Sequence, residues 1–248
     1  MNWERYSAWS GLGGVVVFVV GAFVAPLPPS AGDPADLVAG YYHEHLGALR
    51  GQLLLTGLAG ILLLWFFGSL AAHLRRAEGE GGRLTSVALG GWLIGTALVG
   101  LGTVAEGLLV LEVARAPAAV PVPFPGRPPG QFLGISIVVR ILADFRWMAY
   151  TLSWFAFAPA LVAVAVLAYR HAAFPRWHAN LGYVLFFVAV TAGVGIVFSS
   201  GPWAPGGALD TITMLAFLVW LGLTSALVAG WSPSATRPTI SPGPPPAI

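Results

Sequence analysis

The segment VVRILADFRWMAY, residues 138–150, sets Arg140, Asp144 and Arg146 among apolar residues. Charges in such company either form buried machinery or mark where a helix meets water. Arg140 and Asp144 are four apart, so on a helix they share a face and can pair, whereas Arg146 lies elsewhere around the axis. A gate or ion site would use Asp144, while an interfacial ion pair with snorkelling Arg side chains needs no function at all. Glu106, in TVAEGLLVLEVAR, is the better candidate for a buried charge, since apolar residues flank it on both sides. Brought together with Arg140, Asp144, Arg50 and Glu44, it would complete one outward-facing polar cluster.

The stretch YYHEHLGALR, residues 41–50, offers a second chemistry through His43, Glu44, His45 and Arg50. His-x-His with an acid between is a minor metal-site candidate, because its spacing suits a strand or loop and no third ligand lies nearby. Polar residues where a helix meets the membrane surface are the ordinary explanation, so no metal is expected. His73, His171 and His178 fall near helix ends. A haem protein of the cytochrome b561 kind needs paired axial histidines in its central helices, and residues 84–111 contain none. No cofactor is expected, and no catalytic residue is assigned, since G-x-S-x-G, H-E-x-x-H and P-loop patterns are all missing. The chain has no Cys, which excludes disulfides and thiol nucleophiles.

The elements that must position these residues follow from composition. With 57% hydrophobic and 9% charged residues, the chain falls far below the roughly 25% charge of a soluble domain. Apolar runs long enough to cross a bilayer predict an all-α bundle of six transmembrane helices occupying residues 1–231. The spans are expected at 8–25, 49–74, 84–111, 147–168, 178–199 and 209–230. The first is read as a retained span rather than a signal peptide, because Glu4 cancels Arg5 and further spans follow. The pattern from 131 to 169 is too long for one crossing, so a short interfacial helix, about 131–145, should precede the fourth span. A Pro-rich extended loop at 116–130 and a disordered Pro/Ser-rich tail at 232–248 complete the organisation. Gly91 with Gly95, and Gly47 with Gly51, mark faces where helices approach closely.

All twelve basic residues are Arg, and the net charge of +2 gives no nucleic-acid footprint. Their distribution over the short loops favours both termini on the cytoplasmic side of the membrane.

The block from Tyr41 to Leu93, with its WFFGSL span end and LRRAEG loop, resembles a family of uncharacterised six-helix integral membrane proteins of high-GC Gram-positive bacteria. ILADFRWMAYTLSWFAFAPA is similar to their pattern too, with Asp144 leading into an apolar helix that contains a Pro. The resemblance covers about residues 8–230 and implies a fold and a membrane location, with no activity or catalytic residues to transfer. His43, His45 and His178 depart from the family pattern, which speaks against a histidine mechanism.

The expected function is that of a non-enzymatic multi-pass protein, transporter-like or an accessory subunit with a membrane-protein partner, using the Glu106, Arg140 and Asp144 cluster. The alternative is an intramembrane enzyme acting on a lipid or isoprenoid at the outer leaflet, with His43, Glu44, His45 and Glu106 as acid and base groups.

Overall fold

The computed structural model describes residues 3–30, 33–115 and 130–230, and among them contains helices and no strand. Helix α1 spans Trp3–Ala22, α2 Ala35–Glu44, α3 Leu46–Glu78, α4 Arg83–Arg115, α5 Gly130–His171, α6 Arg176–Val194 and α7 Ala208–Gly230. Single 3-10 turns follow α3 at Gly79–Gly81 and α6 at Gly195–Val197. The expected extended loop, apart from Gly130, and the expected disordered tail lie outside the described residues.

Five segments are long and apolar enough to cross a membrane: Leu46–Gly81, Arg83–Arg115, Ile137–His171, Arg176–Val197 and Ala208–Gly230. This gives the chain the character of a multi-pass membrane protein. The first expected span is not among the five. Arg5, Tyr6, Ser7 and Ser10 occupy the first half of α1, which leaves its continuous apolar run too short to qualify.

One expectation is corrected. Where a short interfacial helix and then a span were expected, one unbroken helix runs from Gly130 to His171, with Pro159 inside it. The stretch 41–50 spans a helix–helix corner: α2 ends at Glu44, His45 forms the corner, and α3 starts at Leu46. No turn-forming Gly or Pro lies at that corner, so the sequence carries little to announce it.

The long helices form a closed ring. Helix α1 packs on α3 and α7, α3 on α4, α4 on α5, α5 on α6, and α6 on α7. The α4–α5 contact is the most extensive and the α3–α4 contact is thin. Small residues explain the first: a Cβ at Gly91 would lie 2.5 Å from the Ala156 carbonyl, and one at Gly95 or Gly102 would enter the ring of Phe157 or Tyr150. The expected close face at Gly91 and Gly95 is thus the α4–α5 seam. Gly47 has nothing within 4 Å of its Cβ position and takes no part in such packing. At the α3–α4 turn, the Glu78 carboxylate accepts from the Leu84 and Thr85 amides, each at 2.8 Å, capping the orphan N–H groups of α4.

The ring holds a core of Phe67, Trp92, Trp154, Phe157, Phe217 and Trp220 with their aliphatic neighbours. A smaller second core lies at one end, made by Val38 and Tyr42 of α2, Leu49 of α3, Leu109 and Val113 of α4, and Val139 and Ala143 of α5. The level of this end is set by contacts along α5. Thr151 meets Asp210 at the start of α7, and Phe155 faces Gly193 near the end of α6. Residues 130–150 of α5 therefore run on past the short helices by about 30 Å at 1.5 Å per residue. The far end of α4 accompanies them, and α2 lies across both.

Candidate functional site

Two heptad stripes bring the buried charges together. On α4 the register Ala88, Trp92, Gly95, Val99, Gly102, Glu106, Leu109, Val113 faces inward, and on α5 so does Val139, Ala143, Arg146, Tyr150, Ser153, Phe157, Ala160, Val164. Alternating steps of three and four keep such positions on one side of a helix. Where the stripes cross, at the junction of the two cores, each contributes one charge.

Arg146 and Glu106 meet there, Nη1 to Oε1 at 3.2 Å, with side chains only 2% and 7% exposed. The same Nη1 donates to the Tyr42 hydroxyl at 2.6 Å, tying α2 to α5. The Tyr150 hydroxyl donates to the other Glu106 oxygen at 3.5 Å and lies 3.4 Å from Thr103 Oγ1. The guanidinium carbon sits 4.2 Å over the Trp147 ring, and the Trp147 indole N–H donates to the Pro29 carbonyl at 2.8 Å. Burial, with the Glu106 charge adding to it, pushes the Tyr41 phenol of α2 up to about 12. Burial raises Tyr42 as well, so both phenols are neutral at physiological pH.

Asp210, in the first turn of α7, is a second, half-buried anchor that spacing alone did not reveal. Its carboxylate accepts from Thr151 Oγ1 at 2.9 Å, Trp154 Nε1 at 2.9 Å and the Gly206 amide at 2.8 Å. A carboxylate at a helix N-terminus is also favoured by the helix dipole.

Between these anchors lies a cavity of about 260 Å³ enclosed by α1, α3, α4, α5 and α7. Glu106, Arg146 and Asp210 line it, together with Gln52, Thr56, Thr96, Thr103 and Ser153, and aromatic side chains make up much of the remaining wall. Gly60 on α3 and Thr96 on α4 border it and are themselves exposed, at the seam where those helices pack thinly. The cavity therefore has access between α3 and α4.

Of the expected cluster, Glu106 is in this site and the others are not. Arg140 and Asp144 pair with each other at 3.7 Å on the surface of α5, their side chains 52% and 45% exposed. Arg50 and Glu44 are exposed and, among the described residues, make no ion pair. His43 is exposed, while His45 turns Nδ1 onto the Tyr41 carbonyl at 2.9 Å and stacks beside the Tyr41 ring. Among the described residues no three His, Cys, Asp or Glu side chains gather at metal-ligating distance. Arg146, Tyr42, Tyr150 and Asp210 are the members that sequence reasoning missed.

Chemically, Glu106 is held as the partner of a guanidinium, which suits a latch between helices better than a free general base. Asp210 and the polar side chains around the void offer hydrogen bonds and charge to a small guest. No family model, no curated protein and no solved structure matches this chain.

Proposed function

We propose that the protein is a transporter-like carrier of the cytoplasmic membrane that holds a small amphipathic solute in the cavity between α1, α3, α4, α5 and α7. The observation that carries this reading is the cavity itself, apolar and aromatic along most of its wall, with Glu106, Arg146 and Asp210 lining it. Intramembrane ionisable residues at a void are expected along solute pathways. In this reading α1 is the sixth span, supported by its packing on α3 and α7 and by the exposed apolar Val16, Val20 and Phe23. Both termini are then cytoplasmic. Thirty ångströms of hydrocarbon measured along α5 from Tyr169 reaches about Tyr150, so the Glu106–Arg146 latch lies at the outer boundary and the α2–α4–α5 projection lies beyond it.

The test is a binding screen of small amphipathic solutes by tryptophan fluorescence and thermal shift on protein in lipid nanodiscs, with Thr96→Phe as the variant that fills the cavity. Solutes that bind the wild type and not Thr96→Phe are expected. Identical responses of the two proteins to every compound would sink the reading.

A second reading, an accessory subunit, is favoured by Ile137, Ile141, Phe145 and Met148, which expose an apolar strip along one side of the projecting part of α5. Site-specific photocrosslinking from position 141 in the native membrane tests it. Adducts only with lipid would count against a protein partner.

A further inference from the structure

The cavity walls leave one negative charge uncompensated. Glu106 and Asp210 are the acids that line it, Arg146 is the base, and Arg146 is committed to Glu106. The three groups that hold Asp210 are a hydroxyl, an indole N–H and a backbone N–H, none of them cationic. Among the described residues no Arg or His makes an ion pair with Asp210. Such a charge at a low-dielectric void attracts a counter-ion far more strongly than it would in water.

The rest of the wall decides which counter-ion. A small inorganic cation needs several oxygen ligands at close range, whereas here Trp154, which donates to Asp210, continues into an aromatic set with Phe157, Phe217 and Trp92. Ring centroids in this set lie 4.8 Å apart for Phe157–Phe217, 5.4 Å for Trp92–Phe217 and 5.6 Å for Trp154–Phe217. Aromatic rings attract an organic ammonium through their quadrupoles and hold its apolar body by contact. A void of about 260 Å³ is at the small end of ligand pockets.

We propose that the solute is a small lipophilic organic cation, an ammonium with an aromatic or branched aliphatic body, with Asp210 as its counter-charge and Trp154, Phe157, Phe217 and Trp92 as its wall. The assignment rests on the cavity being the solute site. Access between α3 and α4 lets such a molecule arrive from the bilayer, where lipophilic amines accumulate.

Three probes of similar shape and different charge separate the possibilities: benzyltrimethylammonium, its neutral isostere neopentylbenzene, and the anion 3-phenylpropanoate. Each is titrated calorimetrically into the full chain in nanodiscs of zwitterionic lipid, with empty nanodiscs subtracted. The cation is expected to bind at least tenfold more tightly than the neutral isostere. Asp210→Asn should abolish that margin and leave the neutral probe unchanged. Phe217→Leu keeps every hydrogen bond to Asp210 and should weaken the cation several-fold more than the neutral probe, which loses apolar contact alone. The wild-type comparison stands by itself even if Asp210→Asn fails to fold. Preferential binding of the neutral probe or the anion, displaced by Thr96→Phe, overturns the cation assignment and leaves the cavity reading standing. Binding of none of the three, with a screen blind to Thr96→Phe, overturns both.

Discussion

Arg146 Nη1 stands 3.2 Å from Glu106 Oε1 and 2.6 Å from the Tyr42 hydroxyl, so one buried guanidinium joins α5 to α4 and to α2. Burying two charges is expensive, and their attraction repays the cost only while both remain. Arg146→Met or Glu106→Leu alone should therefore destabilise the fold by about 3–5 kcal/mol, because each strands its partner. The double variant, with both charges replaced by apolar side chains, should recover most of that loss. Reversible unfolding in mixed micelles measures the cycle, and additive single effects would refute a coupled pair.

The pair at the surface of the same helix behaves differently. Arg140 and Asp144 are about half exposed and 3.7 Å apart, a geometry in which ion pairs contribute about 0–1 kcal/mol. Arg140→Ala and Asp144→Ala should each leave stability within about 0.5 kcal/mol of wild type. Tyr42→Phe, which removes only a buried hydroxyl, should cost about 1–3 kcal/mol by leaving an Arg146 N–H short of an acceptor. Its effect should appear as faster amide exchange in α2, the element that Tyr42 ties down.

The contrast shows what the sequence could and could not reveal. Apolar runs and their lengths are readable without a structure, and they account for the five long apolar helices. Pairing Arg140 with Asp144 was likewise a local matter of i, i+4 spacing. Arg146 stands off the face that Arg140 and Asp144 share, and its place follows from helical register. Extending the buried stripe Val164, Ala160, Phe157, Ser153 backwards in steps of three and four passes through Tyr150 and Arg146 and misses Arg140 and Asp144. The same reading on α4 runs through Glu106. Tyr42 and Asp210 had no such signal, since each reaches the site through a tertiary contact: α2 folding back across α4 and α5, and the start of α7 meeting the middle of α5.

The α4–α5 seam gives a prediction in both directions. Gly95→Val must push a side chain into the Phe157 ring, and overpacking of this kind typically costs about 1–3 kcal/mol. Gly90 lies within the same helix with nothing within 4 Å of its Cβ position. Gly90→Ala should stabilise by about 0.5–1 kcal/mol through helix propensity alone. Thermal unfolding of the two variants side by side checks the assignment of faces, and equal effects would contradict it.

The loop before α7 supplies the sharpest local test, because two glycines there share a positive φ and differ in their surroundings. Gly201 has φ +87° and nothing near its Cβ position, while Gly206 has φ +77° and a Cβ there would lie 2.5 Å from the Trp147 ring. Left-handed backbone costs an L-residue about 1–2 kcal/mol, so Gly201→Ala should lose that and no more. Gly206→Ala adds the collision. Trp147 cannot yield freely, since its indole is bonded to the Pro29 carbonyl and its face lies under Arg146. The loop must move instead, and the Gly206 amide moves with it, withdrawing a donor from Asp210. Gly206→Ala should therefore cost at least about 1–3 kcal/mol more than Gly201→Ala, in the range of overpacking, and should disturb Trp147 fluorescence, which Gly201→Ala leaves alone. Equal costs with unchanged fluorescence would mean that Gly206 does not press on Trp147.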